Sequence, residues 1–164
     1  MPTTEIPLQR LSIVSSRPFD EVVRRLTATI GRPDMAAFRG ALGAAKDAAD
    51  LEQVVRGAIG PSDLMEFERY DAGEVLRRAL GHSPRILRLV IGNPLIMKEM
   101  ARTVPDAASY APTTILIDER ADGVHLSYDS MASLIAPYGS EQAVAVAADL
   151  DAKIELLLEA AAHD

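Results

Sequence analysis

His125, Ser127 and Asp129 occupy alternate positions of one short run, so an imidazole, a hydroxyl and a carboxylate would project from one face of a strand. Those three groups are the working parts of a hydrolase. The spacing opposes that chemistry. Neighbours at i and i+2 stand roughly 6–7 Å apart along a strand, whereas a nucleophile and its base need about 2.6–3.2 Å. The chain has no Gly-x-Ser-x-Gly elbow. The run reads as the polar, solvent-facing side of a strand.

Two carboxylate pairs could serve acid–base work or hold a metal: Glu66 with Glu68 on one strand face, and Asp118 with Glu119 at a strand end. The three histidines, His82, His125 and His163, fall at no ligand spacing, and cysteine is absent. No metal site and no cofactor are expected, and acidic strand residues of this kind mark an exposed or edge face. Gly92-Asn93-Pro94 closes a strand and opens a helix, whose free amides could hold an anion. One glycine is no phosphate loop and Pro94 removes a donor, so a tight turn capped by Asn93 is the plainer account.

The tyrosines keep two readings open. Tyr70, Tyr110, Tyr128 and Tyr138 fall at strand ends or in loops of a chain that is only 4% aromatic. They can line a mouth where an apolar ligand meets a hydroxyl donor, or pack at sheet edges with their hydroxyls wet. The expected ligand-binding set is Tyr70, Tyr110, His125 and Tyr128.

At 164 residues and 48% apolar, the chain is long enough to bury one core without disulfides. A net charge of −7 argues against nonspecific nucleic-acid binding, which neutralises phosphates. The basic pairs Arg24-Arg25 and Arg77-Arg78 sit on helices that also carry acids and read as solvated faces. The opening Met1-Pro2-Thr3-Thr4-Glu5 has neither a basic nor an apolar leader region, and no apolar run approaches the roughly 18 residues of a membrane span. A cytoplasmic protein without membrane or nucleic-acid partners is expected.

These groups must be positioned by a β-α-(αα)-β-α-β-α-β-β-α succession. Gln9 to Ser15 alternates as a first strand; Ser16 is placed to cap a helix with Phe19, Val22, Val23, Leu26 and Ile30 on one face. Residues 34–60 read as two short helices, the first starting at Asp34 and broken at Gly43, with Gly43 and Gly60 permitting hinge motion. Phe38, Leu42, Leu51, Val54, Val55 and Ile59 form two apolar stripes too short to stand alone, so the pair should cover the sheet or a partner subunit. Strands follow at Leu64–Tyr70, Arg85–Ile91, Thr113–Glu119 and Gly123–Tyr128, the last two hinged at Asp122-Gly123. A long helix capped by Ser140 carries Val146, Leu150, Ile154, Leu157 and Ala161 as its stripe. The fold class is α+β, a single domain over 1–164 with one mostly antiparallel sheet and helices on one face.

Several of these segments together resemble the bacterial domain-of-unknown-function family 302. Ser16-Arg17-Pro18-Phe19-Asp20-Glu21 is similar to that family's Ser-x-Ser-Phe-Asp-Glu helix start. Leu64–Tyr70, Val75–Leu80 and Ile86–Pro94 resemble its strand, short Leu-rich helix and strand ending in Cys-Asn-Pro, with Gly92 at the cysteine. Ala111-Pro112-Thr113 stands where the family has Leu-Pro-Cys, and Asp129-Ser130-Met131 partly matches its Asp-Pro-Met region. The resemblance covers roughly 9–35 and 62–162, sets 36–61 apart as a helical insertion, and implies a β-α-β4-α, TBP-like fold that often dimerises. With both cysteines replaced, no thiol-based role carries over.

The functional expectation is noncatalytic binding of a small apolar molecule or of a protein partner, in a homodimer. An enzyme using Tyr, His and carboxylate groups as acid and base, and a structural dimerisation module, are the alternatives.

Overall fold

A computed structural model describes residues 3, 5–81 and 85–163. His82, weighed above as a metal ligand, lies outside the described residues. Five strands form one antiparallel sheet in the order β1-β5-β4-β3-β2, with β1 Arg10–Ser15, β2 Met65–Asp71, β3 Ile86–Gly92, β4 Thr113–Arg120 and β5 Gly123–Asp129. Alternation decides its two faces. The rows Ile13–Leu126–Ile117–Leu87 and Leu11–Tyr128–Ile115–Leu89 run across the strands on the core side. Against them pack α1 (Phe19–Thr27), α5 (Pro94–Ala101) and the long α7 (Glu141–Ala162), through Val22, Leu26, Met100, Leu150 and Ile154 among others. The opposite rows, Val14–His125–Asp118–Ile86 and Ser12–Ser127–Leu116–Arg88–Tyr70, join neither apolar cluster of the protein. The α+β class and the single sheet with helices on one side agree with the sequence patterns.

Several details differ from those patterns. Ser16 does not cap α1: Pro18 is the extended residue before it, with no side-chain cap, and its carbonyl receives the amides of Glu21 and Val22. Gly43 does not break the second helix, because α2 runs Met35–Ala44 and stops where Ala45 turns extended. Asp34 does cap it, accepting from the Ala36 and Ala37 amides at 2.9 Å each. Asp47 does the same for α3 (Ala48–Arg56). Glu66 and Glu68 do not share a face. A bulge at Phe67 sets them opposite Ile91 and Val90, consecutive residues of β3 that point to opposite sides. Asp118 is not on an edge strand: β4 is paired on both sides, and Asp118 is buried under the guanidinium of Arg120. Between β5 and the long helix the chain forms a short helix, α6 (Met131–Ile135), which the periodicity does not indicate. On α7 the buried stripe is Ala143, Ala147, Leu150, Asp151, Ile154 and Leu158, while Val146 and Leu157 are half-buried.

The arm formed by α2 and α3 is rooted at one place. The amides of Gly31 and Gly60 both donate to the Leu64 carbonyl at 2.9 Å, and the Glu66 amide donates to the Gly31 carbonyl at 2.8 Å. Each glycine lies against the other's backbone. A Cβ on Gly31 would stand 2.1 Å from the Ala58 carbonyl oxygen, and one on Gly60 would stand 2.2 Å from that of Thr29. Gly60 is therefore a clamp and not the hinge its sequence context suggests. The arm carries its own small cluster, Phe38, Val55, Ala58 and Met65, so its two stripes close on each other and on the end of β2.

Candidate functional site

Where the arm's first helix overhangs the sheet, the structure leaves an apolar cavity of about 240 Å³. Met35, Phe38 and Leu42 of α2 form its roof, three residues or four apart and so on one helical face. Phe67 supplies one wall, because the bulge in β2 releases it from strict alternation. The floor is the turn Gly92-Asn93-Pro94, with Met97 and Met100 on the α5 turns above it and Leu150 from α7. Ala111, Pro112 and Thr113 close the remaining side across a cis Ala111–Pro112 peptide.

The floor is held by hydrogen bonds. Asn93 is buried; its carbonyl oxygen accepts from the Leu95 amide at 2.8 Å and caps α5, as its place in the sequence suggests. Its side-chain amide donates to the Asp63 carbonyl at 2.9 Å. Asp63, at φ 63°, also takes Lys153 of α7 at 2.9 Å, so turn, arm root and long helix are tied together. Gly92 is packed close: a Cβ there would lie 3.2 Å from Pro112 and 3.6 Å from a ring carbon of Phe67. Gly92 and Thr113, the two positions that the family resemblance assigns to cysteine, both line the cavity.

None of Tyr70, Tyr110, His125 and Tyr128 lines it, and the structure does not bring the four together. Tyr70 and His125 are on the open sheet face, in strands three places apart and in neighbouring rows, so about 14 Å separates them across the strands alone. His125 contacts Asp122 at 2.9 Å, which holds that carboxyl below its ordinary pKa. Tyr110 pairs with Tyr138, hydroxyl to hydroxyl, at 2.7 Å; that bond pushes Tyr138 up to about 12. Tyr128 is buried on the core side, donating to Asp151 at 2.6 Å. Burial first, then that carboxylate, raises its pKa, so it stays a neutral donor. Each hydroxyl that looked free for a ligand, other than that of Tyr70, has a partner inside the fold. The cavity's signal was nevertheless present in the sequence: the Met35–Phe38–Leu42 stripe and the two proline turns that meet beneath it.

A second, larger cavity of about 640 Å³ lies between α1 and the β2 edge, where Asp20, Arg69, Asp71, Arg77 and Arg85 share the lining with Phe19, Val23, Ile86 and Leu87. Its three arginines are already spent: Arg85 on Asp20, Arg77 on Asp71, and Arg69 on Glu66 outside it. Arg85 also lies over the Phe19 ring at 4.3 Å. Volume alone favours this cavity, but internal neutralisation leaves little for a ligand to gain, and the apolar cavity is the better candidate. The pairing has a consequence in acid. Hydrogen bonds from Arg85 and Arg77 hold the carboxyls of Asp20 and Asp71 below their ordinary value of 3.8. A folded-state pKa below the unfolded one stabilises above the unfolded value, and that stabilisation is lost as pH falls through the lowered folded one. Denaturation curves between about pH 5 and about pH 2.5 should therefore fall less steeply for the double variant Asp20→Asn, Asp71→Asn than for the parent. Equal slopes would show that these pairs contribute nothing to acid sensitivity.

Among the described residues no group of three or more His, Cys, Asp or Glu side chains is placed to hold a metal ion, and no helix is long and apolar enough to cross a membrane. A family model described as "Domain of unknown function DUF302" matches residues 42–161, more than half of the chain and starting within α2. Among solved structures, an uncharacterised conserved DUF302 protein from Bacillus stearothermophilus superposes with a TM-score of 0.65 at 12% identity. The superposition covers 93% of this chain and 97% of that one, a likeness of fold alone. No protein of curated function matches the sequence.

Proposed function

The chain belongs to the DUF302 family, and from that fold and its cavity we propose a noncatalytic binding protein that holds a small, mostly apolar molecule beneath α2. One observation carries the reading: the roof, walls and floor of the cavity are mostly apolar side chains drawn from five separate segments, with the buried Asn93 satisfied within the fold and Arg39 the one charged group, exposed at the rim. Binding pockets combine this kind of preformed apolar lining with few polar groups. At about 240 Å³ the space exceeds the roughly 150 Å³ that admits benzene. Burying each methylene of a ligand there contributes about 0.8 kcal/mol before the losses of association.

The methionines report on it directly. With methyl-labelled methionine and 1-octanol as the probe, the Met35, Met97 and Met100 signals should shift saturably. Met131, buried in the main core away from the cavity, should not move. Leu42→Trp, which fills the space from its half-buried roof position, should abolish the response while leaving the fold intact. If those three methyls show no saturable shift, or if Met131 moves with them, the cavity is not a binding site.

A further inference from the structure

We infer that the ligand is an amphipathic carboxylate, its chain in the cavity and its carboxylate on Arg39; this rests on the binding proposed above and specifies its chemistry. Arg39 is the one charged residue lining the cavity among those described. It follows Phe38 on α2 and is exposed, so it stands at the rim while its neighbour closes the roof. Among the described residues it donates to no carboxylate or carbonyl. The contrast with the larger cavity is direct, because Arg69, Arg77 and Arg85 are all engaged by acids. A guanidinium presents a planar fork that matches a carboxylate with two parallel bonds, and at the edge of an apolar wall it is partly shielded from water.

The protein as a whole has a net charge of −7, so it offers no general attraction for anions. A preference for a carboxylate over a neutral head group would have to be local. The apolar lining excludes the opposite arrangement, a polar ligand buried with an apolar tail outside, because nothing inside would satisfy its head.

The test compares octanoate, 1-octanol and octylammonium, three probes with the same chain, on the full-length parent and on Arg39→Gln. Octanoate should bind the parent roughly five- to tenfold more tightly than octanol, and octylammonium more weakly than octanol. The octanoate advantage should shrink at high salt. Arg39→Gln should bring octanoate and octanol to parity, with an unchanged far-UV circular dichroism spectrum and urea midpoint showing that the variant is folded. Equal binding of octanoate and octanol by the parent would overturn the carboxylate assignment and leave the cavity a binding site. A preference that survives in Arg39→Gln would overturn the role of Arg39. Failure of all three probes to bind would instead overturn the proposed function itself.

Discussion

Asp151→Ala should cost the protein about 4 kcal/mol of folding stability, more than most single changes. Asp151 is buried on α7, and its two oxygens receive four hydrogen bonds. One oxygen accepts from the Tyr128 hydroxyl at 2.6 Å and the Met131 amide at 2.7 Å; the other accepts from the Ser130 hydroxyl at 2.7 Å and the Ala132 amide at 3.0 Å. Those amides open α6, so the carboxylate also lies at the positive end of a helix. Its removal strands donors from β5 and α6 together, and a buried donor left alone costs about 1–3 kcal/mol. Tyr128→Phe removes one donor and leaves three, so it should cost only about 1 kcal/mol. Urea unfolding at neutral pH measures both. A loss below about 1 kcal/mol for Asp151→Ala would show that water replaces the carboxylate without penalty.

Gly31→Ala should cost about 3 kcal/mol, at the upper end for overpacking, because the atom it meets is backbone and cannot rotate away. The added methyl would stand 2.1 Å from the Ala58 carbonyl oxygen. Relief requires the arm's root to part, which breaks the paired bonds to Leu64. Amides of α2 and α3 should then exchange with solvent much faster than those of the sheet, and saturable binding of 1-octanol should be lost. Gly43→Ala is the internal control: a Cβ there meets nothing, and in a helix the change should stabilise by about 0.5–1 kcal/mol. Comparable stability for the two variants would show that the glycine contact is not tight in solution.

The succession of strands and helices was legible in the sequence because it rests on apolar periodicity and turn residues. The strand alternation of Gly123–Asp129 and the caps at Asp34, Asn93 and Ser140 are all local signals. What could not be read was non-local. The bulge at Phe67 depends on pairing with β3, and it separates two glutamates that simple alternation puts together. Asp151 looks like one more surface acid until β5 and α6 deliver their donors to it from about twenty residues away. The tyrosines stand out at strand ends and in loops of an aromatic-poor chain, yet the hydroxyls of Tyr128 and Tyr110 find their partners across the chain. The cavity was half visible. Its roof stripe and its turns are distinct in sequence, and only the tertiary structure makes them face one another.

The joint at Leu64 makes the arm exchangeable. Since residues 31 and 60 meet at one carbonyl, the sheet needs only that those two points be joined, whatever lies between them. Closing a longer or shorter segment there changes the entropy only slowly, by about 0.6 kcal/mol for each doubling of length. A different roof could thus be spliced onto the same floor of Asn93, Pro94 and Met97 with little penalty to the sheet. Diversity in what is bound would then arise by replacing one contiguous stretch of chain, and a chimaera carrying a foreign segment between Gly31 and Gly60 would keep the parent's strand pairing while acquiring a new specificity.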